Sequence, residues 1–553
     1  MNFRLRLTAA AARQVRLRPA GAAAGQAQDI TRPAALLVTG RVVGLVASFA
    51  IGIVLARFFA PAAFGTYKQF FLLYGTLYGL AQLGMAESLY YFVPRNAARM
   101  PRYVCNALIT LAAAGLACLA GLYAWRTQIA ARLSNAALAD YMVLAGLFLT
   151  FMLMSTVLEI VMVSRKKHVM AAVTYACSDI VRTLFFVAPA LLFVSLRAVF
   201  IGATAFAALR VVLVVVAIWR QYGREFRVDL GLWREQLAYA LPFALAVGVE
   251  VIQQNYHQYI VAGMFDSATF AVYAVGCLQI PLVDMIMTST VNVMMVKMAE
   301  DAARPGHTPA GHAASQGHCV SSDTNAPGEL QTGRVSVTAH GEATVALWHE
   351  TICRLAFLMV PLSVFLFVVA RELIVTLYTT TYAASVPIFM VWALTILPSI
   401  FAVNAVLRVF AQTRFLLVMN LMRLAMVAAL IGWFLSSFGM SGAVLVTLVS
   451  TLLVNLVGVG RIAHLLHLPF THTLPWSRLA GIFVRAGVAA VPVIWLTRAT
   501  ALQPMVALGA SGVTYAVVYF GLSYLAGLKD ERVRLQADPT ATLVPVESGF
   551  SRT

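Results

Sequence analysis

Apolar runs of about twenty residues recur along most of this chain of 553 residues, and they constrain its fold more than any other feature. A helix needs roughly 20 apolar residues to cross a bilayer, and lipid offers backbone groups no partner outside the helix. Only 11% of the residues are charged, whereas a soluble domain carries about 25%. The runs therefore predict an all-α polytopic membrane protein with about fourteen transmembrane helices. The predicted spans are residues 34–57, 69–93, 103–125, 140–163, 169–194, 198–219, 241–264, 270–298, 350–370, 383–407, 415–436, 439–463, 478–497 and 505–527.

Lys and Arg are distributed unevenly over the two sides that these spans define. With the N-terminus in the cytoplasm, the cytoplasmic segments hold about fourfold more Lys and Arg than the outer loops, which is the bias that membrane insertion follows. The bias predicts a multi-pass protein of the cytoplasmic (inner) membrane with both termini in the cytoplasm. The net charge of +18 then requires no nucleic-acid partner, because the basic residues are scattered over short loops.

The long polar segment 299–349 has the composition of a disordered loop and divides the spans into two blocks. Its His307, His312, His318 and Cys319 fit no standard spacing of metal ligands, so a flexible cytoplasmic loop is preferred and no metal or other cofactor is predicted. The Arg- and Ala-rich N-terminal segment has the composition of a disordered tail, with an organelle transit peptide as the alternative. The predicted organisation is a cytoplasmic tail over 1–33, an N-terminal six-helix lobe over 34–223, a C-terminal six-helix lobe over 224–298 and 350–468, the disordered loop over 299–349, two additional helices over 469–528 and a second cytoplasmic tail over 529–553.

An internal repeat relates the two blocks. The segment FAPAAFGTY at 59–67 aligns with FDSATFAVY at 265–273, and both lie at the outer turn between the first two spans of a six-span block. Because both blocks begin on the same side, we expect parallel repeats around an axis along the membrane normal, an arrangement that transporters use with the substrate between two lobes. The matched residues are Phe59, Ala62, Phe64 and Tyr67 in the first block, and Phe265, Ala268, Phe270 and Tyr273 in the second.

Four runs of sequence carry a resemblance to a known family. They are RVVGLVASFAIGIVLARFFAPAAFGTYKQF, GLAQLGMAESLYYFVPR, RELIVTLYTTTYAASVPIFMVWAL and FGMSGAVLVTLVSTLLVNLVGVG. Over about 34–465 the chain resembles the Wzx-type polysaccharide flippases of the multidrug/oligosaccharidyl-lipid/polysaccharide (MOP) exporter superfamily. The resemblance implies two six-helix lobes around a central cavity and translocation of a lipid-pyrophosphate-linked sugar from the inner to the outer leaflet. The long polar loop departs from the short connection of that family.

Four polar residues form one face of the seventh predicted span. Glu250, Gln253, Gln254 and His257 follow the i, i+3, i+4, i+7 spacing of a helix face. An ionisable group inside a bilayer costs about 2.5–3.5 kcal/mol on insertion scales, so such groups mark a protein interior or a water-filled path. The spacing predicts a cavity-lining face that contacts substrate, with hydrogen bonding between helices as the alternative.

Charged residues in the first block are candidates for binding an anionic headgroup. Arg41 in the first span and Glu87 in the second lie at similar depth, so they form either a phosphate site with its resting partner or a static ion pair. Asp179 and Arg182 are three residues apart on the fifth span, where an ion pair is preferred for Asp179 and a phosphate contact stays open for Arg182. Arg210 in the sixth span is a third headgroup candidate, because a planar guanidinium binds two phosphate oxygens at once.

The second block adds a lone acid and a further arginine. Asp284 lies in the middle of the eighth span and is a candidate for ion coupling, together with Glu250 and His257. Arg423 in the eleventh span is intramembrane and is expected either to stay there or to extend toward the cytoplasm.

These features predict a flippase for a lipid-linked oligosaccharide or polysaccharide precursor, working by alternating access in cell-surface polysaccharide export. Its partners would be the lipid-pyrophosphate-linked oligosaccharide, the bilayer and polysaccharide assembly proteins. The sequence has no Walker loop and no catalytic constellation, so an enzyme is not predicted. One alternative is a MOP-type exporter of drugs or small cations, in which acids rather than arginines control transport. The other is a membrane polysaccharide polymerase or glycosyltransferase, which would need a large outer loop.

Overall fold

Helices dominate the structure, a computed structural model that describes residues 44, 46–164, 168–223, 226–302, 330–466, 468–499 and 503–537. No β-strand occurs among these residues, so the predicted all-α fold class is confirmed. The helices, in chain order, are α1 (Val46–Phe58), α2 (Pro61–Ala81), α3 (Met85–Arg95), α4 (Met100–Ala124), α5 (Arg126–Arg132), α6 (Met142–Ser164), α7 (His168–Phe193), α8 (Leu196–Tyr222), α9 (Leu230–Met264), α10 (Ser267–Gly276), α11 (Pro281–Ala302), α12 (Leu330–Val368), α13 (Ala370–Tyr378), α14 (Val386–Leu394), α15 (Val403–Val409), α16 (Thr413–Phe438), α17 (Met440–Leu465), α18 (Phe470–Thr473), α19 (Trp476–Ala499) and α20 (Pro504–Ala537).

Most of these helices match predicted membrane spans. Within the described residues, ten helical segments are long and apolar enough to cross a membrane, and the bent pair α10–α11 makes up to eleven. The three other predicted spans coincide with the shorter α1, the interrupted pair α2–α3 and α7. The prediction of about fourteen transmembrane helices is therefore confirmed, whereas the predicted tail 1–33 and the loop residues 303–329 lie outside the described residues.

One compact unit contains the chain up to Phe58, Ala81–Ala124 and Tyr141–Ala244. Its helices pack closely where small residues allow it: a Cβ at Gly115 of α4 would lie 2.7 Å from the Cα of Thr150 on α6. Small residues of this kind let membrane helices approach each other without a large hydrophobic driving force.

The start of α9 is fixed to α4 within this unit. Arg102 Nη1 donates to Asp229 Oδ2 at 3.1 Å, and Trp233 Nε1 donates to Thr110 Oγ1 at 2.9 Å. Asp229 also caps α9, because its Oδ1 accepts hydrogen bonds from the backbone amides of Gly231 at 3.1 Å and Leu232 at 3.2 Å. The first turn of α9 therefore depends on one carboxylate that satisfies both backbone and side-chain donors.

The second compact unit contains Phe59–Leu80, Trp125–Asp140 and Leu245–Thr553. Side chains of α2 hold the segment that follows α5: Gln69 Nε2 donates to the Leu133 carbonyl at 2.9 Å, and Asn135 Nδ2 donates to Gln69 Oε1 at 2.6 Å. Ser134 then donates to the carbonyl of Gly263, at the end of α9, at 2.7 Å. The second unit therefore includes segments from the first predicted block as well as the whole second block after Ala244.

The repeat predicted from the sequence has a direct structural counterpart in the second unit. The helix α2 begins at Pro61 and α10 begins at Ser267, a separation of 206 residues that equals the offset between the aligned segments. The two helices contact each other near their N-termini, because a Cβ at Gly65 would lie 1.7 Å from the Ser267 carbonyl oxygen. Only glycine permits an approach this close.

Three predicted spans are interrupted rather than continuous. The break between α2 and α3 places Leu83 and Gly84 at φ of 49° and 66°, which is the left-handed region. The chain bends by 47° between α10 and α11, where Pro281 begins the second helix. The span 383–407 breaks between α14 and α15, with Ala402 at φ of 48°. Breaks within membrane helices expose backbone groups and are tolerated where they line a cavity or are buried in protein.

Candidate functional site

The polar face predicted for the seventh span lies on α9. Gln253 and His257 are buried, with 3% and 2% of their surfaces exposed, whereas Gln254 is exposed and Glu250 is half-buried. Glu250 and Gln254 interact along the helix, where Gln254 Nε2 donates to Glu250 Oε1 at 3.3 Å. The i, i+3, i+4, i+7 spacing therefore produces one face with a buried edge and a more open edge.

Arg423 of α16 contacts the buried edge of this face. With the Gln253 amide oriented so that its oxygen faces the guanidinium, Arg423 donates to that oxygen from Nε at 3.0 Å and from Nη2 at 3.2 Å. The Glu250 carboxylate is close enough to attract the same guanidinium. A guanidinium carries five N–H donors, so two bonds to Gln253 leave three donors for another acceptor.

His257 connects the polar face to α10. Its Nδ1 lies 2.6 Å from the Tyr273 hydroxyl, and its ring lies 6.0 Å from the ring of Trp392 on α14. Tyr273 in turn hydrogen-bonds with the Cys277 thiol, which lies within electrostatic range of the Lys68 ammonium on α2. Buried polar groups in a low-dielectric interior stabilise one another when each has a partner.

A cavity of ≈ 190 Å³ lies where two of the interrupted spans meet. Asp284 of α11 lines it, together with Gln279 from the break before α11 and Thr395 and Ser399 from the break after α14. Trp392 also lines the cavity and donates from Nε1 to the Leu278 carbonyl at 3.0 Å. The cavity therefore presents one carboxylate and several neutral oxygens, beside the aromatic ring that faces His257.

The candidates of the first block have different surroundings. Arg182 and Asp179 form the expected ion pair at 3.1 Å, and Arg182 also contacts the Ser48 hydroxyl of α1. Arg210 lies over the ring of Phe206, with 5.8 Å between the guanidinium carbon and the ring centroid.

The predicted pairing of Arg41 with Glu87 stays a prediction, because Arg41 lies outside the described residues. Within the part of the chain that the structure describes, Glu87 Oε2 is buried and has no hydrogen-bond partner.

Sequence reasoning assigned no role to Lys68 and gave Arg423 no partner. Lys68 lies one helical turn after Phe64. Its ammonium is above the ring of Phe64, 5.3 Å from the ring centroid. Arg423 was identified as intramembrane, but its contact with Gln253 joins two helices that are far apart in the sequence. Hydropathy and helical spacing describe one helix at a time, so neither signal could reveal these contacts.

Cysteines and potential metal ligands form neither a disulfide nor a metal site among the described residues. Five cysteines in this part of the chain are free, and no group of three or more His, Cys, Asp or Glu side chains is placed to hold a metal ion there. Cys319 and the histidines of the polar loop fall outside the described residues.

One family model and several solved structures are similar to this chain. Residues 54–301 match the family model described as polysaccharide biosynthesis protein. No curated protein sequence matches the chain.

Among solved structures, lipid II flippase MurJ in its inward closed conformation superposes with a TM-score of 0.65 at 13% identity, covering 89% of this chain and 98% of MurJ. A MOP superfamily transporter from Pyrococcus furiosus superposes with a TM-score of 0.49 at 12% identity, covering 79% and 95%. An inward-facing multidrug resistance MATE transporter of the MOP superfamily gives 0.48 at 13% identity, covering 76% and 95%. The chain therefore has the fold of MurJ over most of its length, and its residues 54–301 match the family described as polysaccharide biosynthesis protein, as the resemblance in the sequence motifs led us to expect.

Proposed function

We propose that this chain translocates a lipid-linked oligosaccharide or polysaccharide precursor across the cytoplasmic membrane by alternating access. The likeness of the fold to a lipid II flippase and the family match over 54–301 support this class of substrate. Export of such precursors serves the assembly of cell-surface polysaccharide, so polysaccharide assembly proteins are the expected partners. Both termini are expected in the cytoplasm, as the distribution of Lys and Arg indicates.

The observation that carries the proposal is the contact of Arg423, on α16, with the polar face of α9. Gln253 holds the guanidinium of Arg423 through two hydrogen bonds, at 3.0 and 3.2 Å. The two bonds fix the plane of the guanidinium and leave its other N–H groups free to donate. Two N–H groups of an arginine can bind two oxygens of one phosphate at once. Arg423 is therefore the residue that we assign to the anionic headgroup, and the sugars would contact the open edge at Glu250 and Gln254.

Glu250 gives the headgroup site a resting state. Its carboxylate attracts Arg423 when no substrate is bound, which lowers the cost of a cation inside the membrane. An arriving phosphate would compete with this carboxylate for the same guanidinium. Substrate binding would then release Glu250 from Arg423. The empty and the loaded protein would differ in their ion pairs, and such a difference allows a substrate to shift the equilibrium between two conformations.

The arginines of the first block are secondary candidates for the headgroup. Arg182 is already bound to Asp179 and Ser48, so a phosphate would have to displace a carboxylate there. Arg210 and Arg41 stay in the proposal as contacts for a pyrophosphate that spans more than one site. Glu87 and Asp179 are assigned to ion pairing or ion coupling, as intramembrane acids commonly are.

A flipping assay on the reconstituted full-length protein tests the function. We expect Arg423→Ala to lower the rate of translocation of a lipid-pyrophosphate-linked oligosaccharide by at least tenfold, since a charge-assisted bond is worth about 1.5–3 kcal/mol. Arg414→Ala is the matched control, because Arg414 is an exposed arginine on the first turn of the same helix. A full rate for Arg423→Ala would remove Arg423 from the headgroup site.

The second candidate is a MOP-type exporter of drugs or small cations. The lone Asp284 on the cavity of ≈ 190 Å³ favours it, because a carboxylate facing a cavity suits a cationic ligand. The same vesicles distinguish the two functions. Uptake of a cationic dye without movement of the lipid-linked sugar would favour the exporter, and movement of the sugar without dye uptake would favour the flippase.

A further inference from the structure

A basic groove in the second unit lies apart from the polar face of α9. It has a volume of ≈ 1220 Å³ and is lined by α11, α12 and α19. Four cationic side chains line it, with Glu350 as the carboxylate among its lining residues. The cationic residues are Lys297, Arg354, Arg478 and Arg485.

The positive charge of the groove is only partly compensated. Arg354 Nη2 bonds to Glu350 Oε1 at 2.5 Å, so this pair is neutral. Arg478 interacts with the Cys353 thiol, which supplies no formal negative charge at neutral pH. Among the described residues, neither Arg478 nor Arg485 has a carboxylate within salt-bridge distance, and the Nε atom of Arg485 is buried without a hydrogen-bond partner.

The depth of Arg485 along α19 makes its lack of a counter-charge informative. Arg485 lies nine residues after Trp476, where α19 begins, which is about 14 Å along the helix at 1.5 Å per residue. An arginine at such depth in a membrane segment costs free energy unless an anion or water reaches it. The groove therefore favours an anionic occupant.

The rest of the lining identifies the kind of anion. Apolar side chains from all three helices line the groove beside the cations, as acyl chains require and a free phosphate ion does not. The apolar residues are Val293 and Met294 from α11, Leu347, Leu355, Phe357 and Leu358 from α12, and Ile482 from α19.

Two of the cations, Lys297 and Arg478, lie at the ends of helices, where anionic lipid headgroups are expected. Lys297 is near the end of α11 and Arg478 is in the first turn of α19, and the distribution of Lys and Arg puts these ends on the cytoplasmic side. Basic pockets between membrane helices on that side bind anionic lipid headgroups.

We propose that this groove is a binding site for an anionic phospholipid of the cytoplasmic leaflet, with its phosphate on Arg478 and Arg485 and its acyl chains on the apolar side chains of α11 and α12. The site is separate from the headgroup site at Arg423 and does not depend on the identity of the transported substrate. Arg354, neutralised by Glu350, contributes orientation rather than net charge.

Native mass spectrometry of the purified full-length protein tests the proposal. The protein is titrated with phosphatidylglycerol and, separately, with phosphatidylcholine of the same chain length. We expect phosphatidylglycerol to bind at least tenfold more tightly, and the double variant Arg478→Gln/Arg485→Gln to lose this preference. Arg498→Gln, at the other end of α19, is the matched control and should keep it.

Further arms exclude other occupants. The double variant Arg478→Lys/Arg485→Lys keeps the charge and should keep a preference for phosphatidylglycerol, which guards against loss of the fold in the glutamine variant. Equal affinity for the two lipids, or an unchanged preference in Arg478→Gln/Arg485→Gln, would overturn the proposal. So would displacement of phosphatidylglycerol by millimolar inorganic phosphate, or by a polyprenyl phosphate that binds in its place at lower concentration.

Discussion

The guanidinium of Arg423 and the amide oxygen of Gln253 are joined by two hydrogen bonds, from Nε at 3.0 Å and from Nη2 at 3.2 Å. The bonds connect α16 to α9, two helices separated by more than a hundred residues of sequence. Lipid tails are as apolar as protein side chains, so burial of apolar surface does not drive helices together in a membrane. Hydrogen bonds between polar side chains on different helices do. The same pair therefore stabilises the second unit and orients the cation that we assign to the substrate headgroup.

Substitution of Gln253 should lower both stability and transport, whereas substitution of its exposed neighbour Gln254 should lower stability less. Gln253→Leu removes the acceptor of Arg423 and leaves the half-buried guanidinium without this partner, at a cost of about 1–3 kcal/mol. We expect a lower midpoint of thermal unfolding and a lower flipping rate for the purified protein. Gln254→Leu changes an exposed side chain on the same face and should lower stability less.

The conservative variant tests the orienting role of Gln253. Gln253→Glu keeps an oxygen acceptor for Arg423, so stability should be retained, whereas the added negative charge should weaken binding of an anionic headgroup. Equal losses of stability in Gln253→Leu and Gln254→Leu would contradict the assigned contact.

Glycine at position 65 should be required, whereas glycine at position 75 of the same helix should not. A Cβ at Gly65 would lie 1.7 Å from the Ser267 carbonyl oxygen, whereas a Cβ at Gly75 has no atom within 4 Å outside its own helix. Gly65→Ala should destabilise the protein by about 1–3 kcal/mol, as overpacking does. Gly75→Ala should be neutral or stabilising by about 0.5–1 kcal/mol, since alanine favours a helix interior.

Thermal unfolding of the two alanine variants in one detergent measures this difference. A midpoint for Gly65→Ala at or above that of the wild type would show that α2 and α10 do not approach each other closely in the protein.

Most of the fold follows from hydrophobic runs, and the register of the repeat follows from short aligned segments. The starts of α2 and α10 differ by the offset that the aligned segments give, and the first two turns of both helices share an alanine, a phenylalanine and a tyrosine at matched positions. The interruptions were missed. Hydropathy stays high through Leu83 and Ala402, and a positive φ at a non-glycine residue arises from tertiary packing rather than from composition.

The candidate site was predictable only one helix at a time. Spacing placed Gln253 and His257 on one face of α9, and both are buried there. The partners on other helices, Arg423 and Tyr273, depend on how α9 packs against α16 and α10. Helical periodicity contains no information about that packing, so cross-helix contacts required the structure.

The cap of α9 should make the start of this helix sensitive to acid. Hydrogen bonds from the backbone amide of Leu232, and then from Arg102 and the backbone amide of Gly231, hold the pKa of Asp229 below its ordinary value of 3.8. A lowered pKa in the folded protein means that folding favours the charged carboxylate. The contribution of Asp229 to stability is therefore complete above about pH 4 and is lost as the pH falls through the pKa of the folded protein.

Hydrogen exchange at neutral pH can test the cap without acid. Asp229→Ala removes both the cap and the partner of Arg102, so the amides of Gly231 and Leu232 should exchange several-fold faster. Asp229→Asn keeps an oxygen for the cap and should have a smaller effect. Asp140→Asn changes an exposed acid elsewhere and should leave these amides unchanged, whereas equal protection in all three variants would contradict the cap.

Neutralising Asp284 should uncouple transport from its driving ion. Asp284 lines the cavity of ≈ 190 Å³ with Gln279, Thr395 and Ser399, which together offer one carboxylate and neutral oxygens, the ligands that hard cations prefer. Asp284→Asn has nearly the same volume, so the cavity should keep its shape. We expect the flipping rate under a sodium or proton gradient to fall at least fivefold, toward the rate measured without a gradient.

The gradient-free rate is the informative control in this experiment. It should be unchanged in Asp284→Asn, because substrate binding at Arg423 does not use this carboxylate. Glu372→Gln removes a carboxylate of α13 that does not line the cavity and should leave gradient dependence intact. A variant Asp284→Asn that still responds fully to both ions would place the coupling group elsewhere, with the buried Oε2 of Glu87 as the next carboxylate to neutralise.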